Sequence, residues 1–113
     1  MSTTFAYRLG GKTTKVSVTA TASNYQLISD NTNTQVTYAA FLNGGTKPCA
    51  VSVNANGEGD KAAFPGASAG DFVLPASMIA PIVLAVPQNE FYLSAVCDGT
   101  DTTTLYVTPV INL

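Results

Sequence analysis

The sequence contains no histidine and no tryptophan, and only 11% of its 113 residues are charged. Without histidine, neither a Ser-His-Asp triad nor a Cys-His pair can be built. A zinc site with histidine ligands is excluded as well, and two cysteines are too few for a four-cysteine site. These absences predict that the protein is not an enzyme.

Two stretches imitate ligand-binding loops without completing them. Residues 10–13 (GGKT) are similar to the end of a phosphate-binding loop, but Ala6 stands where its first glycine belongs. Residues 54–60 (NANGEGD) alternate oxygen-bearing side chains like the first half of a calcium loop, yet the twelfth position is Pro65. Most acidic residues fall in turns, where Asp bonds the local backbone. We expect no metal and no cofactor.

Charge and hydropathy restrict the partners. Five Lys and Arg against seven Asp and Glu leave a net charge of −2, and the basic residues are scattered. Nucleic-acid binding usually needs a clustered basic surface, so it is not expected. No run approaches the roughly 18 apolar residues of a membrane span. The N-terminus lacks a secretory signal pattern, because Arg8 falls where the apolar centre belongs. We therefore expect synthesis and retention in the cytoplasm or release by lysis, unless this sequence is a mature form.

A surface so poor in charge must consist largely of Thr, Ser, Asn, Gly and Ala. Such a surface is easily desolvated, which suits lasting contact with another protein. It is equally compatible with a small Thr-rich β domain that has no such contact. Both interpretations stay open from composition.

The two cysteines lie in apolar strand-like runs, KPCAVSV and FYLSAVC. A reducing cytosol disfavours a structural disulfide, and a buried free cysteine behaves as a small hydrophobe. Two free thiols at Cys49 and Cys97 are the favoured prediction, with a bridge between them as the alternative.

Short alternating segments separated by Gly, Pro, Asn and Asp predict an all-β protein. We expect an antiparallel β-sandwich, jelly-roll-like, of seven to eight short strands. Residues 1–12 are predicted to form an N-terminal arm and residues 13–113 a single domain. Residues 35–53 are predicted to form a hairpin, and residues 54–71 a long loop that is functional or disordered. The predicted core comprises Val16, Val18, Val36, Tyr38, Leu84, Leu93, Val96, Leu105 and Val107.

The segment TTTLYVTPVINL near the end of the sequence predicts a closing strand. Alternation places Leu105 and Val107 towards the core, and Tyr106 across the sheet or in an interface. Pro109 has no N–H, so ladder pairing is predicted to stop there. Residues 110–113 are then expected to be a separate apolar extension.

The motif DGTDTTTLYVTPV, residues 98–110, resembles the "TATLYVTPG" ending of small proteins encoded among the head genes of tailed bacteriophages. Further similarities are an early VSVTAT strand, the segment QVTYAAF, and LPAS before an apolar strand. The resemblance runs in order over most of the chain after residue 15. Residues 110–113 depart from it, because relatives often carry Gly and Glu there.

This resemblance implies a virion structural protein, and specifically a capsid decoration (cement) protein with a jelly-roll-like sandwich. It further implies the major capsid protein as partner, a homotrimer, and a location on the capsid surface after synthesis in the host cytoplasm. No nucleic-acid or membrane partner is expected. The candidate contact residues are Phe5, Tyr7, Arg8, Phe64, Ile111 and Leu113.

The alternative is a carbohydrate-binding or head-fibre-base module of a virion. Such a module would need an exposed aromatic platform, although core packing explains most aromatic residues in strands. The candidates for this platform are Tyr25, Tyr38, Phe64, Tyr92 and Tyr106.

Overall fold

The protein is described by a computed structural model that covers residues 7–29, 38–87 and 90–112. Within these residues the secondary structure is entirely β, which confirms the predicted all-β class. The strands are β1 (Tyr7–Leu9), β2 (Thr14–Val18), β3 (Gln26–Ser29), β4 (Tyr38–Asn43), β5 (Cys49–Asn54), β6 (Phe72–Leu74), β7 (Ile82–Ala85), β8 (Phe91–Cys97) and β9 (Thr103–Asn112).

Two antiparallel sheets form a sandwich. The five-stranded sheet has the order β1-β9-β4-β7, with β2 also paired to β9, and the four-stranded sheet has the order β3-β8-β5-β6. Without β1, the two sheets have the orders β2-β9-β4-β7 and β3-β8-β5-β6. Strands that follow one another in the chain therefore lie in opposite sheets, with the exception of β5 and β6. This is the jelly-roll arrangement that the sequence pattern predicted.

The predicted hairpin over residues 35–53 is wrong. Strand β4 pairs with β7 and β9, whereas β5 pairs with β6 and β8, so the two lie in opposite sheets. The turn after Asn43 carries the chain across the sandwich. Each strand then buries one face against the other sheet, which an isolated hairpin could not do.

The core lies between the sheets. Five of the predicted core residues belong to it: Val16, Val18, Leu93, Leu105 and Val107 are all at most 5% exposed. Leu84 is half-buried and packs against them. Other members include Phe41, Leu74 and Phe91, which are fully buried.

Three further core predictions differ in outcome. Tyr38 faces outwards, because Ala39 and Phe41 occupy the inward positions of β4 and are fully buried. Val96 is buried, but in a second cluster with Ala50 and Ala62 rather than in the main core. Val36 lies outside the described residues.

Strand β9 continues through Pro109, so the prediction that pairing stops there is wrong. On one side Pro109 pairs with Ala39 of β4 without interruption. On the other side its carbonyl accepts a hydrogen bond from the N–H of Gly10 at 2.8 Å, between β1 and β2. The N–H and C=O of a strand residue point to the same side, so the N–H that Pro109 lacks would point towards the gap between β1 and β2. No ladder hydrogen bond is lost there. A Cβ on Gly11 would lie 3.2 Å from Cγ of Pro109, so the edge approaches the ring closely.

Residues 110–112 therefore extend the sheet instead of forming a separate tail, and Leu113 lies outside the described residues. Residues 110–112 pair with β1 in the register Tyr7↔Asn112, Arg8↔Ile111 and Leu9↔Val110. Residues 7–9 of the predicted arm thus form a strand of the five-stranded sheet.

Candidate protein-contact surface

The outer face of the five-stranded sheet carries an apolar groove. Residues that alternate with the core positions of β4 and β9 point to this face. The groove has a volume of about 490 Å³ and is lined by Leu9, Thr13, Ala40, Leu42, Pro81, Tyr106, Thr108 and Val110. We call this set the groove.

No residue of the groove is charged. Two of its hydroxyl groups bond each other, because the Oγ1 atoms of Thr13 and Thr108 are 2.6 Å apart. Leu9 is 77% exposed at its rim. A partner that covered Leu9 would desolvate apolar surface without stripping water from any ion, which favours association.

Charge lies at the edge of this face. Lys15 of β2 is exposed and pairs in register with Tyr106 of β9, which lines the groove. Protein–protein interfaces commonly have few charged residues at their centre and polar residues at their rim, and the groove with Lys15 beside it fits this pattern.

A tyrosine pair extends the apolar surface towards the far end of β9. The ring centroids of Tyr7 and Tyr38 are 5.8 Å apart, with an interplanar angle of 62°. This edge-to-face arrangement orders Tyr7, which remains 38% exposed. Tyr7 belongs to the predicted contact set, and Leu9 lies two residues further along the same strand.

The other predicted contact residues lie in different places. Arg8 pairs with Ile111, and Ile111 is only 6% exposed. Phe64 is half-buried against the cluster of Ala50 and Val96, which belongs to the four-stranded sheet. Phe5 and Leu113 lie outside the described residues. The structure therefore does not gather the predicted set into one surface.

Much of the outer face of the four-stranded sheet is covered by residues 55–71, which belong to the predicted long loop of residues 54–71. The N–H of Ala62 donates to Oγ of Ser94 at 2.9 Å, and that hydroxyl donates to the carbonyl of Ser23 at 2.7 Å. Tyr25 contributes a second attachment, because its hydroxyl donates to the carbonyl of Asp60 at 2.9 Å. This covering segment is thus held by one buried hydrogen bond at Ala62, by an exposed one at Asp60, and by Phe64.

The covering segment closes on itself between Ala63 and Asp71. The N–H of Ala63 donates to the carboxylate of Asp71 at 2.7 Å, and the N–H of Asp71 donates back to the carbonyl of Ala63 at 2.8 Å. Part of one outer face of the sandwich is consequently covered by the chain itself, whereas no described residue covers the groove on the other face.

The loop that imitates a calcium site uses its side-chain oxygens internally. Oδ1 of Asn54 accepts from the N–H of Gly57 at 2.8 Å, and Oδ1 of Asn56 accepts from the N–H of Glu58 at 3.0 Å. Across the described residues, no three His, Cys, Asp or Glu side chains come together in a way that could hold a metal ion.

Both cysteines are free and buried in the core. Burial, and then the nearby Cys97, raise the pKa of the Cys49 thiol to about 12. Burial, and then Asp101, raise the pKa of Cys97. A thiol that keeps its proton is a poor nucleophile, so burial lowers the reactivity of both cysteines.

The sequence analysis missed Leu9, Ala40 and Leu42 as members of the groove. A signal existed for the last two, because Ala40 and Leu42 alternate with the buried Ala39 and Phe41. The segment YAAFL is apolar on both faces, however, and period two alone does not say which face is inner.

Among the described residues, no helix is long and apolar enough to cross a membrane.

No protein-family model matches the chain, and no similar curated protein or solved structure was found. The resemblance of residues 98–110 to phage head proteins is therefore a hypothesis that rests on the sequence motif alone.

Proposed function

We propose that this protein is a non-enzymatic binding protein, and specifically a capsid decoration protein of a tailed bacteriophage virion. One observation supports a binding role above others. The outer face of one sheet is partly covered by residues 55–71, while the outer face of the other presents, among the described residues, a groove without a charged residue. An exposed apolar surface of this kind is typical of an interaction site.

The assignment to a capsid draws on the resemblance of the LYVTP strand, which also supplies β9 of the groove face. In this proposal the groove and Tyr7 contact the major capsid protein on the outer capsid surface. The protein acts through non-covalent contacts, as a homotrimer, and requires no cofactor. Its low charge would let copies pack closely against the capsid and one another.

The test is co-sedimentation of the full chain with expanded capsids built from the major capsid protein of the virus that encodes it. The variant Leu9→Asp places a charge at the rim of the groove. The matched control is Leu27→Asp, because Leu27 is also an exposed leucine, at 40%, but lies in β3 of the other sheet.

We expect the native chain and Leu27→Asp to co-sediment and Leu9→Asp to bind at least about tenfold more weakly, since a buried unpaired charge is costly. Failure of the native chain to bind capsids would contradict the decoration role. Equal binding by both variants would contradict the assignment of the groove. Sedimentation equilibrium without capsids tests the trimer.

A carbohydrate-binding or head-fibre-base module is the second candidate. It is favoured by the half-buried Tyr106 ring, which lines the groove together with the hydroxyl groups of Thr13 and Thr108. A glycan array distinguishes the two candidates. Glycan binding that Tyr106→Ala abolishes, in a chain that ignores capsids, would favour the second.

A further inference from the structure

Cys49 and Cys97 occupy directly opposite positions on neighbouring antiparallel strands. Cys49 begins β5, Cys97 ends β8, and the register pairs them across the ladder. Both side chains belong to the same core cluster between the sheets, with exposures of 0% and 2%. The two thiols therefore point to the same side of the same sheet.

This placement matches the reach of a disulfide. Opposed residues in an antiparallel pair have Cα atoms about 4.5–5.5 Å apart, depending on the type of pair. Disulfides join cysteines whose Cα atoms are roughly 4.4–6.8 Å apart. No strand has to slip or separate for the bridge to form. The influence of Cys97 on the pKa of Cys49 also indicates that the two sulfur atoms are close.

Neither sulfur is strongly engaged by another group. The thiol of Cys97 faces the carbonyl of Val18 at 3.8 Å, and Nδ2 of Asn43 faces the sulfur of Cys49 at 3.8 Å. Both are long contacts of a weak hydrogen-bonding atom. The Asn43 amide also donates to the carbonyl of Lys47 at 2.8 Å, so it keeps a stronger partner if the sulfur moves.

We propose that Cys49 and Cys97 form a redox-modifiable site, which is a dithiol under reducing conditions and a disulfide between β5 and β8 under oxidising ones. The bridge joins the two central strands of the four-stranded sheet. It would stabilise the fold by closing the chain from residue 49 to residue 97 in the unfolded state. Neither cysteine lines the groove, so this proposal does not rest on the proposed function.

The oxidant is a small disulfide such as oxidised glutathione. One protein thiol loses its proton, attacks a sulfur of the oxidant and forms a mixed disulfide, and the first glutathione thiolate leaves and is protonated. The second protein thiol loses its proton and attacks the protein sulfur of this intermediate, which expels the second glutathione. One disulfide bond forms, one breaks, and two electrons pass from the protein to the oxidant.

Burial makes the reaction depend on local opening. A protonated thiol between two sheets neither ionises readily nor meets the oxidant. Oxidation of the folded chain should therefore be slow, and it should accelerate in mild urea that increases opening without unfolding the population. The bridged product should refold to the same all-β structure.

The test uses the full reduced chain, oxidised glutathione as the probe, and Cys97→Ala as the matched control. The chain is incubated in the native state, in mild urea, and during refolding. Intact mass, free thiols titrated in denaturant, and Tm are then measured. We expect a monomer that has lost two hydrogens and both thiols, with a Tm higher by about 5 °C or more. Cys97→Ala should show no such rise.

Three results would overturn the proposal. The first is that both thiols survive refolding in the presence of the oxidant. The second is that only glutathione adducts or disulfide-linked dimers form. The third is a bridged monomer with an unchanged or lower Tm, which would mean that the native register does not accommodate the bond.

Discussion

Replacing Asn43 by alanine is expected to cost roughly 3–5 kcal/mol of unfolding free energy. Asn43 is fully buried at the end of β4. Its amide donates to the carbonyl of Lys47 at 2.8 Å, and its Oδ1 accepts from the N–H of Gly45 at 3.1 Å. Oδ1 also accepts from the hydroxyl of Thr103 at 2.7 Å, in the five-stranded sheet. One amide thus organises the turn that carries the chain between the sheets.

The magnitude follows from what the substitution leaves behind. Four polar groups would lose a hydrogen-bond partner, namely the carbonyls of Lys47 and Leu74, the N–H of Gly45 and the hydroxyl of Thr103. An unsatisfied buried group costs about 1–3 kcal/mol, and the bonds to Lys47 and Gly45 are only partly buried, so they count for less. Local relaxation or entry of water recovers part of that sum, and the small cavity adds to it. The expected loss is a large fraction of the roughly 5–15 kcal/mol that stabilises a domain of this size.

Urea unfolding of a double-mutant cycle measures the effect. Thr103→Val alone should cost about 1–2 kcal/mol, and the double variant should cost at least about 0.5 kcal/mol less than the sum of the single ones. Thr13→Val is the control, because it removes an exposed hydroxyl pair and should cost less than about 0.5 kcal/mol. A loss below about 1 kcal/mol for Asn43→Ala, or strict additivity with Thr103→Val, would refute the reasoning.

Three further predictions concern the covering segment and the core. Gly70→Ala should destabilise the protein by roughly 2 kcal/mol or more, because a Cβ there would collide with backbone atoms of the same segment. The control Gly66→Ala should be neutral, because its Cβ would meet nothing within 4 Å. Equal changes in Tm for the two variants would contradict this. Ser94→Ala should lower the unfolding free energy, measured in urea, by about 2–3 kcal/mol, because the N–H of Ala62 and the carbonyl of Ser23 lose their hydrogen-bond partner. The control Ser17→Ala, at an exposed position, should change it by less than about 0.5 kcal/mol. The raised pKa of Cys49, about 12 against 9.0, means that the unfolded chain releases this proton first, so stability should fall as pH rises from 9 towards 12. Unfolding free energies that decline equally steeply in Cys49→Ala would disprove that link.

Alternation predicted the closing strand well. The segment TTTLYVT places Leu105 and Val107 on the core face and Tyr106 on the outer face, and the structure agrees. Such segments are informative because one face is polar or aromatic and the other aliphatic, so only one orientation buries the aliphatic side chains.

Other parts of the fold depend on contacts distant in sequence. In YAAFL both faces are apolar, and the fully buried Asn43 next to it looks like a surface residue until its partner Thr103 is known. Pro109 was misjudged for a related reason. Its missing donor is harmless because the edge opposite it is broken at Gly10 and Gly11.

The groove was only partly predictable. Tyr106 was expected to lie across the sheet or in an interface, and it lines the groove on the outer face of the sheet. The sequence did not predict that residues 55–71 cover part of the outer face of the four-stranded sheet. The hydrogen bond that attaches this segment joins Ala62 to Ser94, which is 32 residues away in the chain. Which outer face the loop covers thus depends on contacts between residues distant in sequence.

The position of β9 has a consequence for synthesis. It is the last strand in chain order, yet β1, β2 and β4 all hydrogen-bond to it. During translation, β1, β2 and β4 are synthesised before β9, the strand to which they all pair. The edges of these three strands are therefore exposed in the nascent chain. Because β4 also pairs with β7, only that part of the sheet can form early. Folding should then finish in one late step, after β9 has left the exit tunnel, and chains stalled before that point should be prone to aggregation.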